Sequence, residues 1–589
     1  MRFGIFYEHQ IPRPWGPGDE KRLIDEALEQ IEVAERAGFH CVWEVEHHFL
    51  EEYSHSSAPE VFLAAASQRT SRIRLGHGIV QIPPAYNHPA RVAERAAMLD
   101  LVSGGRVELG TGEGSSAAEL GGFGVDRTAK HAMWEDALDA ITRMFVEEPF
   151  AGWDSEWLHM PPRNVVPRPV QKPHPPLWVA CSRRQTIHTA ARKGIGALAF
   201  SFIEPEAAGA WVADYYRILA SDECVPAGFA VNPGVALALP MMCHQDEDTA
   251  IERGIDGAHF FGYSLAHYYG MSRHAPGVTN IWNEFQERRD QVGFARSIVR
   301  AEDAPLGVQV LQHGLGSLRG AIGTPRQITE LIERYEAAGV DQLIFVMQAG
   351  RNRHEHICES LELFGREVLP RFADRCERKD GDKAARLGPA LERALARRQP
   401  ARTIPPYFID EQAESERARQ RRGGTSLADV LARARAEAGH QVRRRGRDAL
   451  ASLVRGQSDR AIEKRFGSTL VQRLIFGAMA RAFDPSRAFG FQGDIVYELS
   501  RSTNGNGASD GHASVNAWTL HVEKDQATAR SGASASPALR IRMSVSDFAR
   551  LMTGEMAGYE PLLRGRVQIE GNLDLAGRAS EMFGGPSNY

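Results

Sequence analysis

The sequence contains few cysteines and no long apolar run. Six cysteines are scattered through 589 residues, and none of them forms a CxxC pair. This pattern is typical of free thiols in a reducing cytoplasm rather than of a disulfide framework. No segment approaches the ~20 consecutive apolar residues that span a bilayer, and the N-terminus, MRFGIFYEHQIPRPWG, lacks the apolar core of a signal peptide. We therefore expect a cytoplasmic protein without a transmembrane segment.

The chain also lacks a strong excess of charge of either sign. Its formal net charge is −5 and its pI is near 6.5. Bulk electrostatic binding to nucleic acid or to an anionic membrane is therefore not expected. A dinucleotide fingerprint is missing as well, because GTGEG at 110–114 has the spacing GxGxG instead of GxGxxG. The sequence thus contains no NAD(P)-binding signal.

The length of 589 residues exceeds what one hydrophobic core usually supports, which is about 300 residues. Composition divides the chain into three parts. Residues 1–372 alternate strand and helix patterns, residues 373–465 are rich in Arg, Ala and Glu, and residues 466–589 again have a globular pattern. The middle part contains RARQRR and RRRGR, which favours a charged, solvated helical linker. A docking surface for an acidic partner is the alternative.

Apolar runs in the first part predict eight strands that alternate with helices. These strands are expected at 2–8, 38–46, 72–80, 106–112, 177–182, 196–202, 235–244 and 341–348. Strict alternation predicts a parallel sheet, and eight such units fit an α/β fold of the closed (β/α)8 TIM-barrel type. Insertions are expected at 147–176 and 256–322, and the helix after the seventh strand is expected near 246–255 or 325–338.

The third part predicts a small α+β domain. A helix is expected over 466–483, and the alternating segments that follow it predict an antiparallel sheet. The sequence NGNGASDG at 504–511 predicts a flexible hairpin tip.

The stretch EVEHHFLEEYSHSS, residues 44–57, combines three histidines with four glutamates. It follows predicted strand 2 and therefore lies at the mouth of the barrel, where active sites of this fold lie. A metal site would need ligands from several strands, and the adjacent His47 and His48 point to opposite sides. A shared metal is therefore disfavoured, while an acid/base role and a solvated charged loop both remain open.

A second candidate lies after predicted strand 5, where CSRRQT at 181–186 leads into a helix. Free N–H groups at the helix start could hold a phosphate, with Ser182 as the N-cap and Arg183 or Arg184 nearby. A plain N-cap without a ligand is the alternative.

Five segments together resemble the bacterial-luciferase-like flavin monooxygenase family over residues 1–372. They are MRFGIF, AGFHCVWEVEHHF, NHPARVAERAAMLDLVSGGRVELGTGEG, PPLWVACSRRQTIHTAARKGIGALAF and GTPRQITELIERYEAAGVDQLIF. The resemblance implies a barrel that binds reduced FMN, supplied by a separate flavin reductase, and uses O2 to oxidise a hydrophobic organic substrate. The alternative is an F420-dependent oxidoreductase on the same barrel. A homo-oligomer is also expected.

The resemblance implies individual site residues as well. His47 is the expected acid/base, a neutral imidazole with a pKa of about 6.5. The expected cofactor-binding residues are Glu46, Gly78, Ile79, Gly112, Glu113, Cys181, Ser182 and Gln185. A non-proline cis peptide, which is frequent in this family, would fall near Gly78–Ile79. Glu113 departs from the family pattern because luciferase has a phosphate-binding Arg there, and no metal is expected.

The segment SVSDFARLMTGEMAGYEPLLRGRVQIEGNLDLAGR, residues 544–578, resembles the sterol carrier protein 2 (SCP2) lipid-binding domain. The resemblance extends over about 466–583 and implies an apolar tunnel for acyl chains or sterols. Phe489, Phe491 and Trp518 would line this tunnel or fill it. A lipid-binding carrier with an inactive barrel is therefore a further possible function.

Overall fold

The computed structural model describes most of the chain. The described residues are 1–199, 203–269, 274–289, 294, 307–308, 318–412, 414–415, 454–488, 491–501, 515–524, 526–553, 566–571, 575–576, 579 and 582–583. Those up to Tyr407 belong to one compact unit, and those from Phe408 onward belong to a second. Among all these residues, no helix combines the length and the apolar character needed to cross a membrane.

The first unit alternates short strands with longer helices. Its strands are β1 (Arg2–Tyr7), β2 (Cys41–Glu44), β3 (Arg74–His77), β4 (Val80–Gln81), β5 (Val107–Gly112), β6 (Trp153–Asp154), β7 (His159–Met160), β8 (Leu177–Cys181), β9 (Gly196–Ala199), β10 (Val235–Cys243), β11 (Gly307–Val308), β12 (Leu318–Gly323) and β13 (Gln342–Val346). Its helices are α1 (Asp19–Ala37), α2 (Pro59–Arg69), α3 (Pro89–Val102), α4 (Ala117–Gly122), α5 (Lys130–Val146), α6 (Arg184–Arg192), α7 (Pro205–Leu219), α8 (Glu247–Tyr269), α9 (Ile281–Arg288), α10 (Pro325–Ala337), α11 (His354–Glu367) and α12 (Pro370–Arg397).

Eight parallel strands form a closed barrel in the order β1-β2-β3-β5-β8-β9-β10-β13, and β13 pairs again with β1. The predicted (β/α)8 fold is therefore confirmed, with a strand inside each of the eight predicted segments. The strand predicted at 72–80 is interrupted, because β3 ends at His77 and β4 begins at Val80. Both predicted positions for the helix after strand 7 are helical, as α8 and α10.

Two tryptophans fill the interior of the barrel. The rings of Trp43 and Trp178 are almost completely buried and meet edge to face, with centroids 5.4 Å apart. Glycines on the neighbouring strands leave room for them: a Cβ atom at Gly76 would lie 2.3 Å from Trp43 Cε3, and one at Gly196 would lie 2.2 Å from Trp178 Cε3. Because its interior is packed, the barrel can offer a site only at its ends.

Residues 373–407 do not form a solvated linker, and this part of the prediction is corrected. They belong to the first unit, where α12 buries Phe372, Leu387 and Ala394 in the main hydrophobic core. Farther along, Arg402 Nη2 donates to Glu147 Oε2 at 2.9 Å. A few apolar residues at helical spacing are enough to hold α12 in place, because the helix packs against an existing core and does not have to form its own. Residues 416–453 lie outside the described part.

The second unit is an α+β domain. It contains α13 (Asp459–Phe466), α14 (Thr469–Arg481), α15 (Pro485–Ala488), β14 (Gly493–Ser500), β15 (Val515–Glu523), β16 (Gln526–Ser531), β17 (Leu539–Ser544), α16 (Val545–Thr553) and β18 (Gln568–Gly571). The five strands form one sheet in the order β16-β15-β14-β17-β18. Its core already includes Val454 and Ile462, which precede the boundary predicted at residue 466.

The prediction of a purely antiparallel sheet is wrong for one pair. β14 pairs with β17 in parallel, while the other neighbours in this sheet are antiparallel. Alternating apolar residues identify strands but carry no information on their order, so this crossover was not predictable. On one face, the Phe476 ring stacks between Trp518 and Phe548, with centroids 5.2 and 5.3 Å away. Phe489 and the predicted hairpin tip at 504–511 lie outside the described residues.

We expect Gly76→Ala to destabilise the barrel by about 1–3 kcal/mol, because the added methyl group overlaps the buried Trp43 ring. Urea denaturation of the full chain, followed by tryptophan fluorescence, measures this loss. Gly121→Ala in α4 is the matched control, since its Cβ atom would meet no atom within 4 Å. An unchanged unfolding midpoint for Gly76→Ala would show that the interior is not packed as described.

Candidate active site

The carboxyl ends of β1, β2 and β5 converge at one end of the barrel. Glu8 directly follows β1, His47 lies in the loop after β2, and Glu119 lies in α4, which follows β5. The β2 loop is fixed by its backbone, since His47 N donates to Ser56 O at 2.7 Å. Closure of the sheet therefore brings side chains from distant parts of the sequence together.

The His47 ring lies between two carboxylates. Its Nδ1 is 3.0 Å from Glu119 Oε1, and its Nε2 is 3.6 Å from Glu8 Oε2. The hydroxyl of Tyr269, the last residue of α8, is 3.5 Å from the same Nε2. The side chains of Glu8 and Glu119 are 4% and 0% exposed. Because oxygen atoms face both ring nitrogens, the site favours an imidazolium with both nitrogens protonated.

The expectation of a neutral imidazole at His47 is therefore corrected. Burial by itself would lower the pKa of His47, but the charges of Glu119 and Glu8 outweigh it and raise the pKa to about 9. Burial raises the pKa of Glu8 to about 7. At Glu119, burial acts in the same direction, but His47 and several hydrogen bonds lower the pKa below its usual value. At neutral pH the site thus contains a protonated His47 beside an ionised Glu119.

Glu119 was not identified from the sequence, although this carboxylate accepts several hydrogen bonds within the site. It accepts hydrogen bonds from Ser116 Oγ at 2.6 Å, from Gln81 Nε2 at 2.8 Å and from the backbone N–H of His48 at 3.0 Å. Ser116 is also the N-cap of α4. The available signal was the S-x-x-E pattern of a helix start directly after a barrel strand. Only the fold shows that this carboxylate reaches His47.

Glu46 and His48 form part of the wall instead of facing His47. Glu46 Oε2 accepts from Gln81 N at 2.7 Å, and Glu46 Oε1 lies 2.8 Å from Asn87 Nδ2 and 3.0 Å from His48 Nε2. The rings of His47 and His48 thus contact different carboxylates. Within the part of the chain that the structure describes, no three His, Cys, Asp or Glu residues are grouped as metal ligands would be.

Two further glutamates of the stretch 44–57 are buried, so this stretch is not simply a solvated charged loop. Glu44 and Glu52 are fully buried. Glu44 Oε1 lies 3.0 Å from His9 Nε2, and Glu52 Oε1 accepts from the backbone N–H of Ile281 at 2.6 Å, at the start of α9. These carboxylates therefore connect the β2 loop to β1 and to the insertion after β10.

The two glycines among the expected cofactor-binding residues, Gly78 and Gly112, lie close to neighbouring backbone and side chains. A Cβ atom at Gly112 would lie 2.5 Å from Ile79 Cδ1, so this glycine lets β5 pack closely against the segment between β3 and β4. Gly78 N donates to Glu44 O at 2.6 Å. The expected cis peptide at Gly78–Ile79 is not observed: the cis bonds in the described residues all precede prolines, namely Pro14, Pro149, Pro167 and Pro173.

The predicted anion site lies at the start of α6. Cys181 is buried at the end of β8, whereas Ser182 and Gln185 are exposed. The N-cap of α6 is Arg183 and not Ser182, because the backbone N–H of Arg183 donates to the Thr186 hydroxyl at 3.2 Å. Ser182 therefore lies one residue outside the helix, and its side chain is not used as a cap.

Ion pairs change the expected charges around this end of the barrel. Glu113 pairs with Lys130 Nζ at 2.7 Å and with His131 Nδ1 at 2.9 Å. Although burial opposes ionisation, these partners lower the pKa of Glu113 to about 2. Arg184 is paired with Asp214 at 2.6 Å. Lys130 and His131 thus compensate the negative charge of Glu113, and Arg184 is engaged in a separate ion pair.

Three polar atoms around His47 are buried without a hydrogen-bond partner. Among the described residues, they are Glu8 Oε2, Gln81 Oε1 and the Tyr86 hydroxyl. Gln81 Oε1 and Tyr86 Oη both approach the backbone at Gly114, where a Cβ atom would lie 2.6 and 2.8 Å from them. Unpaired buried polar atoms are costly and are frequently satisfied by a ligand. A flavin, which carries carbonyl oxygens and N–H groups on one ring edge, fits this donor and acceptor set.

Comparison with known families gives two matches. The family described as luciferase-like monooxygenase matches residues 1–342, which is more than half of the chain. The SCP-2 sterol transfer family matches residues 503–584. The two matches fall in the two parts for which the sequence resemblance was found.

Individual relatives match part of the chain. An uncharacterized protein, y4vJ, of Sinorhizobium fredii is 25% identical over 354 residues, which are 59% of this chain and 91% of the relative. The oxygenase component of a flavin-dependent trigonelline monooxygenase of Acinetobacter baylyi is 30% identical over 198 residues, or 33% of this chain and 52% of the relative. The crystal structure of the monooxygenase RslO1 from Streptomyces bottropensis covers 63% of this chain and 100% of its own, with 24% identity and a TM-score of 0.49.

We expect Glu119→Gln to lower the pKa of His47, because it removes the negative charge that lies 3.0 Å from Nδ1. NMR titration of the histidine ring signals measures this change. The matched control is Glu113→Gln on the same β5–α4 connection, which should lower the pKa of His131 and leave His47 unchanged. An unaltered His47 titration in Glu119→Gln would contradict the assigned ion pair.

Proposed function

The chain belongs to the luciferase-like monooxygenase family, and on this basis we propose that its barrel is a flavin-dependent monooxygenase in which His47 is the acid. The observation that carries the proposal is the position of the His47 ring between the carboxylates of Glu8 and Glu119, at the end of the barrel where this fold places its active sites. The proposed substrates are O2 and a hydrophobic organic molecule.

The proposed cofactor is reduced FMN. When bound, it would supply the two electrons with which O2 is activated. The unpaired Gln81 and Tyr86 atoms support placement of the ring edge beside His47, with Glu46, Gly78, Ile79 and Gly112 in the surrounding wall. The start of α6, near Cys181, Ser182 and Gln185, is the proposed phosphate site. Glu113 after β5 is compensated by Lys130.

His47 donates its proton at Nε2 in this proposal. Glu119 accepts a hydrogen bond from Nδ1–H, which fixes the ring orientation and leaves Nε2 as the nitrogen that is not bonded to Glu119. An imidazolium with a pKa of about 9 is suited to protonate an oxygen atom that gains negative charge during the reaction. Tyr269 is placed to donate a second hydrogen bond to the same oxygen.

The electrons would come from a separate flavin reductase. This proposal is supported by the name of the trigonelline relative, which is described as the oxygenase component of its enzyme. It also agrees with the missing GxGxxG pattern, since the chain carries no NAD(P) fingerprint.

We expect His47→Asn to reduce product formation by about 100-fold or more, the usual range for loss of a general acid, while FMN binding remains. The assay supplies FMN with an unrelated reductase and screens hydrophobic aldehydes and ketones for 18O from 18O2 by mass spectrometry. His55→Asn is the matched control, because His55 lies in the same loop but pairs with the exposed Glu20. Turnover with reduced F420 that needs no O2 would instead indicate hydride transfer, and full activity of His47→Asn would exclude the assigned acid.

We also propose that the second unit binds a lipid-like substrate or product of the barrel. Its match to the SCP-2 sterol transfer family supports this role. Its core contains a buried aromatic stack, in which Trp518 of β15 packs with Phe476 of α14 and Phe548 of α16, and such a stack suits contact with an acyl chain or a sterol ring.

Binding to this unit should change the fluorescence of Trp518, the only tryptophan after residue 407 in the sequence. We expect a saturable spectral change when the full chain is titrated with oleic acid. The change should disappear in Trp518→Phe and persist in Trp211→Phe, which alters α7 of the barrel. A change that persists in Trp518→Phe would place the lipid elsewhere.

A further inference from the structure

Glu8 differs from the other carboxylate of the site in its hydrogen bonding. Only its Oε1 has a hydrogen-bond donor among the described residues, the Tyr53 hydroxyl at 2.8 Å. Its Oε2 is buried without a donor and faces His47 Nε2 at 3.6 Å. The side chain is only 4% exposed.

Glu119 shows the opposite environment. Three donors besides His47 satisfy its two oxygens, from Ser116, Gln81 and the backbone of His48. A carboxylate with this many donors is stabilised in its ionised form, whereas a buried carboxylate with one donor is not. The two acidic residues on either side of His47 are therefore suited to different roles, one as a fixed charge and one as a group that gains and loses a proton.

We propose that Glu8 exchanges a proton with His47, so that Glu8 Oε2–H restores the Nε2–H bond after His47 has donated its proton. In this step the O–H bond of Glu8 breaks as the N–H bond of His47 forms, no electron is transferred, and the Glu8 carboxylate is later reprotonated by a hydronium ion or a buffer acid from the solvent. Glu8 acts through His47 and need not touch the substrate. The role of this exchange in turnover rests on the proposed oxygenation.

The distance of 3.6 Å is longer than a hydrogen bond. A small ring rotation or one bridging water closes such a gap, as in many buried polar clusters. Because the β2 loop carries both His47 and Tyr53, it fixes Glu8 Oε1 and directs Oε2 toward the ring. The unpaired oxygen therefore faces the nitrogen that the proposed acid uses.

The charges around Glu8 are consistent with this exchange near neutral pH. Burial, together with the charges of Glu44 and Glu119, raises its pKa to about 7 against the opposing effects of His47 and Tyr53. Glu8 is thus protonated below about pH 7 and loses its proton as the pH rises through that value. Since the two groups interact closely, their titrations are coupled.

The first test is an NMR titration of the histidine ring signals of the full chain without flavin or substrate. We expect the His47 signals of the wild type to change in two steps, near pH 7 and near pH 9. Glu8→Gln should remove the lower step, and Tyr53→Phe should move it to higher pH because it deletes the hydrogen bond that stabilises the carboxylate. A lower step that persists in Glu8→Gln overturns the proposal.

The second test is the pH dependence of product formation. We expect the wild-type kcat to fall as the pH rises through about 7. Glu8→Gln should reduce kcat about 10-fold and leave KM unchanged, and its kcat should not show this pH dependence. Glu8→Asp, which keeps a carboxyl group, should restore the pH dependence, and Glu94→Gln on the exposed side of α3 is the control. A pH profile that Glu8→Gln leaves unaltered overturns the proposal.

The two proposals fail in different ways. If the chain forms no oxygenated product but shows the two-step His47 titration, the proposed oxygenase function is wrong while the coupling of Glu8 to His47 stands. If oxygenation occurs and the lower step is unaffected by Glu8→Gln, the coupling is wrong while the oxygenase function stands.

Discussion

Parallel pairing of β13 with β1 on one side and with β10 on the other closes the sheet of the first unit into a barrel. Closure brings the carboxyl ends of all eight strands to one end, so side chains far apart in the sequence become neighbours. Glu8, His47 and Glu119 follow three different strands, and they meet because β1, β2, β3 and β5 pair side by side within this sheet. The two tryptophans in the interior keep the barrel packed, which leaves its end as the place for chemistry.

A buried cation needs compensating charge, and this requirement organises the site. His47 has its charge balanced by Glu119, which is itself held by three further donors. Glu8 has one donor and therefore ionises less readily. Two residues with the same functional group thus have different protonation states at neutral pH because of their surroundings. The same principle explains Glu113, whose two cationic partners keep it ionised.

Two compact units in one chain combine a barrel of the luciferase-like monooxygenase family with a domain that is similar to the SCP-2 sterol transfer family. Helix α12 and the residues up to Arg402 belong to the first unit, because they contribute Phe372 and Leu387 to its core and a contact to Glu147. The second unit has its own core, which includes Val454. The two proposed roles are physically compatible. A hydrophobic substrate is poorly soluble in water, and a second site that binds it would keep it away from water.

The sequence by itself determined the alternation of strands and helices, and with it the barrel and the position of His47 at its mouth. These features follow from local hydrophobic periodicity, which is visible along the chain. Only the tertiary structure decided that Glu8 and Glu119 flank His47 and raise its pKa, that Gly112 serves strand packing, and that residues 373–407 belong to the barrel unit. Each of these depends on contacts between residues far apart in sequence, because burial and neighbouring charge set a pKa, and a core formed elsewhere decides whether a polar helix can pack.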